Sequence, residues 1–193
     1  DIVRKLERIP GVNVVEPRLV IEGLIDLMGK GSVYGKRELA VGRFISVPAG
    51  KQPALNRLYL REGRLPAIGG AEGGEVEVVL HEGFARANGL RPGDSLSVLL
   101  RGQRERLKVV GIALSPEYVY ALSPAGPLPD DKHFGILWVA TATMERLSRM
   151  AGAFNSVSIG VAHASTAELE GIKLQVDELL KPYGGRGAYE IGR

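Results

Sequence analysis

The sequence predicts an α+β fold in which both chain ends build one subdomain and a β-rich subdomain is inserted between them. Three observations carry this. An amphipathic helix opens the chain, while a strand followed by a helix closes it. The middle is a succession of short alternating stretches cut by tight glycine turns. The chain has 193 residues, 45% of them apolar, which is enough to bury a substantial core as one large domain or two small ones. The expected division is residues 1–47 with 150–193 for the two-ended subdomain and 48–149 for the insert.

In chain order, Ile2, Leu6 and Ile9 share one helical face, and Pro10-Gly11 ends that helix. From Val12 to Leu27, and again from Val33 to Val47, apolar and polar residues alternate around "GKGS", which predicts a long hairpin. "VPAGKQPALN" breaks the pattern. Glu75 to Leu80 reads as a strand, Glu82 to Asn88 as a short helix stopped by Gly89, and the residues on either side of Gly102 as a hairpin preceded by a Pro92-Gly93 turn. Gly135 to Ala140 is apolar enough for a buried strand, and a helix is expected over 142–150. Asn155 to Ala162 alternates as a half-buried strand. Ser165 to Glu168 has capping-box spacing, and the helix it starts carries Leu169, Ile172, Val176, Leu179 and Leu180 on one stripe before Pro182.

Composition excludes several classes. With no cysteine, disulfide scaffolds, zinc-thiolate sites and thiol catalysis fall away. The formal charge of +3 is mild and the charges are interleaved, which argues against nucleic-acid binding. The basic stretch Arg101, Arg104, Arg106, Lys108 contains Glu105 and has no neighbouring aromatics, so it reads as a solvated strand face. No run approaches the roughly 18 apolar residues of a membrane span. The opening helix has no lead-in before Asp1, and the sequence is expected to be a segment of a longer chain.

Four motifs invite a chemical reading. Gly93-Asp94-Ser95-Leu96 spells the nucleophile block of GDSL esterases, and Asp130 and His133 have the spacing of the partners that would orient and deprotonate Ser95. The serine, however, follows a Pro-Gly turn and leads into a strand, where those enzymes place it after one. "GKGSVYGKR" is one residue short of a phosphate loop, with Arg37 where Ser or Thr should stand, and "GGRGAYE" follows a helix instead of opening one. His81, His133 and His163 lack ligand spacing; Asp130 and Asp131, with Glu117 as the third carboxylate a cation would need, read better as turn caps. No metal and no cofactor is expected.

The stretch "SPEYVYALSPAGPLPDDKHFGILWV" remains. Ser115 to His133 is long for a structureless connection inside a compact domain. Pro116, Pro124, Pro127 and Pro129 stiffen it, while Tyr118, Val119, Tyr120, Leu122 and Leu128 give it apolar surface. Between Lys108 and Lys132 there is no Lys or Arg, so the loop cannot track phosphates. A stiff loop carrying amphipathic aromatics suits protein contact, or packs onto its own domain.

The runs "VVLHEGFARANGLRPGDSLSV", "VVGIALSPEYVYAL", "PDDKHFGILWV", "GAFNSVSI" and "LLKPYGGRGAY" together resemble the extracytoplasmic (MacB-like periplasmic core) domain of FtsX/MacB-like ABC transporter permeases, a group that includes the lipoprotein-releasing permeases. The opening "RKLERIPGVNVVEPRL" resembles the segment after the first membrane helix of that family, and "AYEIGR" departs from its pattern. The resemblance implies a porter-like α/β subdomain with an inserted β-rich subdomain. It implies a location outside the cell membrane, between the first and second transmembrane helices of the parent protein. It also implies a cytoplasmic ATPase acting through those helices, and a lipoprotein, peptide or other extracytoplasmic partner. On this reading the domain is non-catalytic and couples ATP hydrolysis to binding, release or transport. Tyr118, Tyr120 and Leu122 are then the apolar anchors of the loop, Pro116 and Pro124 hold them out, and Trp138 locks the return strand into the core. The alternatives are a small GDSL-type serine esterase and a free-standing binding module of the same fold.

Overall fold

Nine strands and four helices are described in the computed structural model, which covers residues 2–27, 38–68, 74–118, 130–162, 164–185 and 187. They fall into two compact units, residues 1–17 with 156–193 and residues 18–155.

The smaller unit contains α1 (Ile2–Glu7), β1 (Val12–Arg18) up to residue 17, β9 (Ser156–Val161) and α4 (Thr166–Leu180). β1 and β9 form a two-stranded sheet. The amide of Ala162 donates to Gly11 O and that of Asn155 to Arg18 O, an order of contacts that makes the pair antiparallel. Leu6, Ile9, Ile172 and Val176 are buried between the helices and the sheet. The periodicity that predicts both helices is the one that fills this core, and the capping box of Ser165 and Glu168 forms as its spacing requires.

The larger unit is a closed sheet. Strands β2 (Val20–Asp26), β3 (Leu39–Val47), β5 (Val76–His81), β6 (Ser95–Leu100), β7 (Gln103–Leu114) and β8 (Phe134–Ala140) run in the order β7-β5-β8-β3-β2-β6, and β6 pairs back onto β7. β4 (Tyr59–Gly63) lies along β7 residues 111–114, beyond the stretch paired with β6 and opposite the edge paired with β5. Closure gives each of these six strands a paired neighbour on both sides. Alternation then sorts the side chains: Ile25, Phe44, Val78, Leu80, Val98, Leu107, Val109 and Leu137 fill the interior. Phe84 of α2 (Glu82–Ala87) and Met144 and Leu147 of α3 (Thr141–Ser148) join the same cluster.

The opposite face of part of this wall is also apolar. Ile45, Val47, Val79, Ala113, Phe134, Ile136 and Trp138 form a second cluster with Leu58 and the half-buried Leu60, Leu65 and Tyr118. The all-apolar run of β8 follows: "FGILWVA" is buried on both faces. Segment 48–67 is held on the outer face by paired hydrogen bonds between the Gln52 side chain and the Leu58 backbone, both 2.8 Å. A fork from Arg64 to the buried Glu77 (2.6 and 2.7 Å), reinforced by the Ala67 amide, holds its other end.

Two expectations change. Only β2 and β3 form the predicted hairpin, in antiparallel register from Val20↔Ile45 to Asp26↔Leu39, whereas β1 pairs with β9. The unit boundaries accordingly fall at 17/18 and 155/156, not at 47/48 and 149/150, because β2 and β3 are staves of the closed sheet. Alternation in 12–27 marks strands but not their partners. The "GKGS" turn lies outside the described residues.

Candidate functional site

β7 and β8 stand on either side of β5 in the sheet, so the proline-rich connection leaves and returns around the C-terminal end of β5. Its two roots are well fixed. At the outgoing root Ser115 is buried, its hydroxyl accepts from the Glu117 amide at 3.3 Å, and its carbonyl accepts from the Tyr118 amide at 3.0 Å. Pro116–Tyr118 thereby forms a single 3-10 turn, the conformation that a proline at its first position favours. At the returning root the Asp130 carbonyl accepts from the amides of His133 and Phe134, and its carboxylate lies 3.0 Å from His133 Nδ1.

Glu117 is the centre of the outgoing root. Arg18 donates to both of its oxygens, at 2.5 and 2.9 Å, and Asn56 Nδ2 donates at 3.1 Å. The side chains of Arg18 and Glu117 are only 11% and 6% exposed, so this is a buried, two-pronged ion pair whose desolvation cost is offset by geometry. Asn56 is held at a φ of 50°, a left-handed conformation that asparagine tolerates better than most residues. The phenol of Tyr118 lies in the same setting: burial, then the neighbouring Glu117 carboxylate, push its pKa well above the usual tyrosine value. Arg43 contributes a stacking contact nearby, 5.3 Å above the Phe134 ring, while pairing with Glu22 at 2.9 Å.

His81 closes the arrangement. Its Nδ1 accepts from the Gly83 amide at 3.1 Å, capping α2, and its Nε2 lies 2.9 Å from Tyr118 O. An acceptor role at one nitrogen and a carbonyl at the other assign the neutral imidazole with the proton on Nε2. Burial lowers the His81 pKa, against smaller opposing effects of the Tyr118 carbonyl, Asp131 and Glu82.

Of the sequence-predicted residues, Tyr118 packs inward on the Trp138 cluster, and Pro116 is exposed. Tyr120, Leu122 and Pro124 lie outside the described residues, as does His163. Trp138 is 2% exposed within β8, as the reading of a locked return strand requires. The Ser95, Asp130, His133 set does not assemble: His133 Nε2 points to Glu38 at 3.2 Å, and Ser95 is exposed at the start of β6. Asp130 and Asp131 do not join Glu117 around a cation, and no group of three acidic or histidine ligands exists among the described residues. Sequence reasoning passed over Arg18 and Asn56 altogether. They lie 99 and 61 positions from Glu117, and no local pattern links such pairs.

No family model matches the sequence, and no curated protein matches it significantly. Solved structures do resemble it. The extracellular domain of YknZ, a noncanonic ABC-type transporter from Gram-positive bacteria, aligns over 100% of this chain and 87% of its own, with a TM-score of 0.51 at 14% identity. The periplasmic region of MacB from Actinobacillus actinomycetemcomitans aligns over 92% of this chain and 72% of its own (TM-score 0.48, 17% identity). A domain of a Porphyromonas gingivalis protein described as a permease aligns over 89% and 72% (TM-score 0.43, 15% identity). The likeness of fold rests on the first of these, which spans the chain from end to end.

Proposed function

We propose that this chain is a non-catalytic extracytoplasmic domain of an ABC transporter permease, which couples cytoplasmic ATP hydrolysis to binding, release or transport of an external partner. The observation that carries the reading is the likeness of fold to the extracellular domain of YknZ over the whole chain. Three features support it. The described residues contain no helix long and apolar enough to cross a membrane, so any helical span of the parent protein lies outside them. The one catalytic constellation the sequence suggests does not form. The proline-rich connection is rooted in buried polar contacts at one end and in β8 at the other, as an element that must carry load to a partner requires. Tyr120 and Leu122 are the contact anchors in this proposal, Pro116 and Pro124 stiffen their support, and Tyr118 serves as both root and rim. The parent protein would contribute the membrane helices and the link to the ATPase, and its two-ended unit the porter-like base.

The absence of cysteine makes a direct test available. Pro116→Cys is introduced into the parent protein, cleared of any other cysteine, and reacted with a membrane-impermeant maleimide on intact cells. Labelling without permeabilisation is expected. Labelling seen only after permeabilisation would reject the location. Trapping the ATPase with vanadate should then change the labelling rate at position 116, and an unchanged rate would reject the coupling.

A further inference from the structure

The chain passes between its two units at residues 17/18 and 155/156, and both crossings are bolted to the closed sheet by side-chain contacts. The Leu19 amide donates to Ser46 Oγ at 2.8 Å, and the Ser46 amide returns a bond to Leu19 O at 2.9 Å. Asn155 brackets Val20, accepting from its amide at 2.8 Å and donating to its carbonyl at 2.7 Å. Asn155 also donates its own amide to Arg18 O at 3.1 Å. The backbone of Arg18 therefore belongs to the crossing. Its side chain reaches away from it, to Glu117 at the root of the proline-rich connection.

From this juxtaposition we infer that Arg18, Asn56 and Glu117 form a clamp that couples the position of the chain crossing to that of the loop root. Arg18 is the positioning residue at the crossing. Glu117 is its counterpart at the root, and Asn56 fixes the carboxylate from the third side.

Physical grounds favour a coupling role over simple stabilisation. A buried ion pair is weak evidence of stability, since an apolar pair of the same volume often does as well, but it holds its two attachment points at one separation and orientation. The fork of a guanidinium on a carboxylate adds directionality that a lysine cannot supply. Between them these residues join a segment tied to β3 and a turn tied to β5 through His81. The inference deepens the proposed transporter reading by naming the residues through which movement at the crossing would reach the loop. It can also fail separately from that reading.

The test is amide hydrogen exchange on the 193-residue chain, because coupling between two sites is reciprocal. Arg18→Lys keeps the charge and loses the fork. Asn56→Gly relieves the left-handed backbone while removing one donor to Glu117. If the clamp operates, each variant accelerates exchange of the Tyr118 amide, at the loop root, and of the Leu19 and Asn155 amides, at the crossing, by roughly tenfold. The amides within β5 and β8 stay at their original rates. Trp138, the single tryptophan, is packed in the Tyr118 cluster and should become more accessible to acrylamide in both variants. Acceleration at one end only would overturn the inference. So would uniform acceleration of every strand, which would mark the contacts as general stabilisers. If the vanadate experiment fails while exchange remains coupled, the clamp stands and the transporter role falls.

Discussion

Both ring nitrogens of His81 are committed, one as the cap of α2 and the other to the carbonyl of Tyr118, in a residue only 3% exposed. Protonation would put a hydrogen on Nδ1 where the Gly83 amide already donates, so the cap would be lost, at a cost of about 1 kcal/mol or more. The folded pKa lies below that of the unfolded chain, about 6.5, so the unfolded state binds more protons as the pH falls past that value. Stability from this residue is therefore constant above about pH 6.5 and declines as the pH drops through the lowered folded value. Urea titrations between roughly pH 7.5 and 5 should show this slope in the native sequence and a flatter one in His81→Asn, which keeps an acceptor for the cap and does not titrate. Equal slopes would dissociate His81 from acid sensitivity. None of this was legible in the sequence, where His81 is one of three scattered histidines. The tautomer is set by a carbonyl 37 positions away and by the start of a helix that only the fold locates. The aromatic character of the loop was legible, but Tyr118 turns inward, because Arg43, Phe134 and Trp138 offer it a surface that no linear reading contains.

Secondary-structure elements were far more readable than their partnerships. The stripes of α1 and α4, the capping box, the glycine stop at Gly89 (φ 63°) and the hairpin at Gly102 all follow from local spacing. β4 escaped notice because it is short and mostly exposed, with no alternation to betray it. The pairing of β1 with β9 was also missed, since it joins stretches more than a hundred residues apart while an adjacent alternating stretch offered a simpler hairpin. Glycine at 135 shows how partnership constrains an element. A Cβ there would sit 2.7 Å from the ring of Phe84, which is wholly buried against β8. Gly135→Ala should cost about 1–3 kcal/mol through forced repacking. It should lower the melting temperature by about 2–4 °C for each of those kcal/mol. A variant as stable as the native chain would mean that α2 shifts without cost. The "FGILWV" run marked a buried strand, but the reason for its glycine lies in the helix it packs against.

At the scale of the whole molecule the two units differ in how they are secured. The larger has a ring of strands with apolar clusters on both sides of part of its wall; the smaller has, among the described residues, two strands, two helices and four buried apolar residues. Two-stranded sheets are marginal alone and rely on the helices that cover them. Exchange should therefore be fastest, among the regular elements, in β9 and α4, and slowest in β5 and β8. Matching rates in the two sets would show that the units open together. Helical patterns recur at both termini of the sequence, and one compact unit holds both ends. Where that unit stops is not written in those patterns, because closure of the ring decides which unit β2 and β3 join.

The insertion of one unit's residues within the sequence of the other also sets a timetable. As the chain emerges from the ribosome, α1 and the first strand appear early but have no partner until β9 and α4 follow, more than a hundred residues later. The ring, by contrast, has every stave in hand once residue 140 is made. The ring unit can be finished while the two-ended one waits, so the stretch of this sequence that is made first is among the last to find its place.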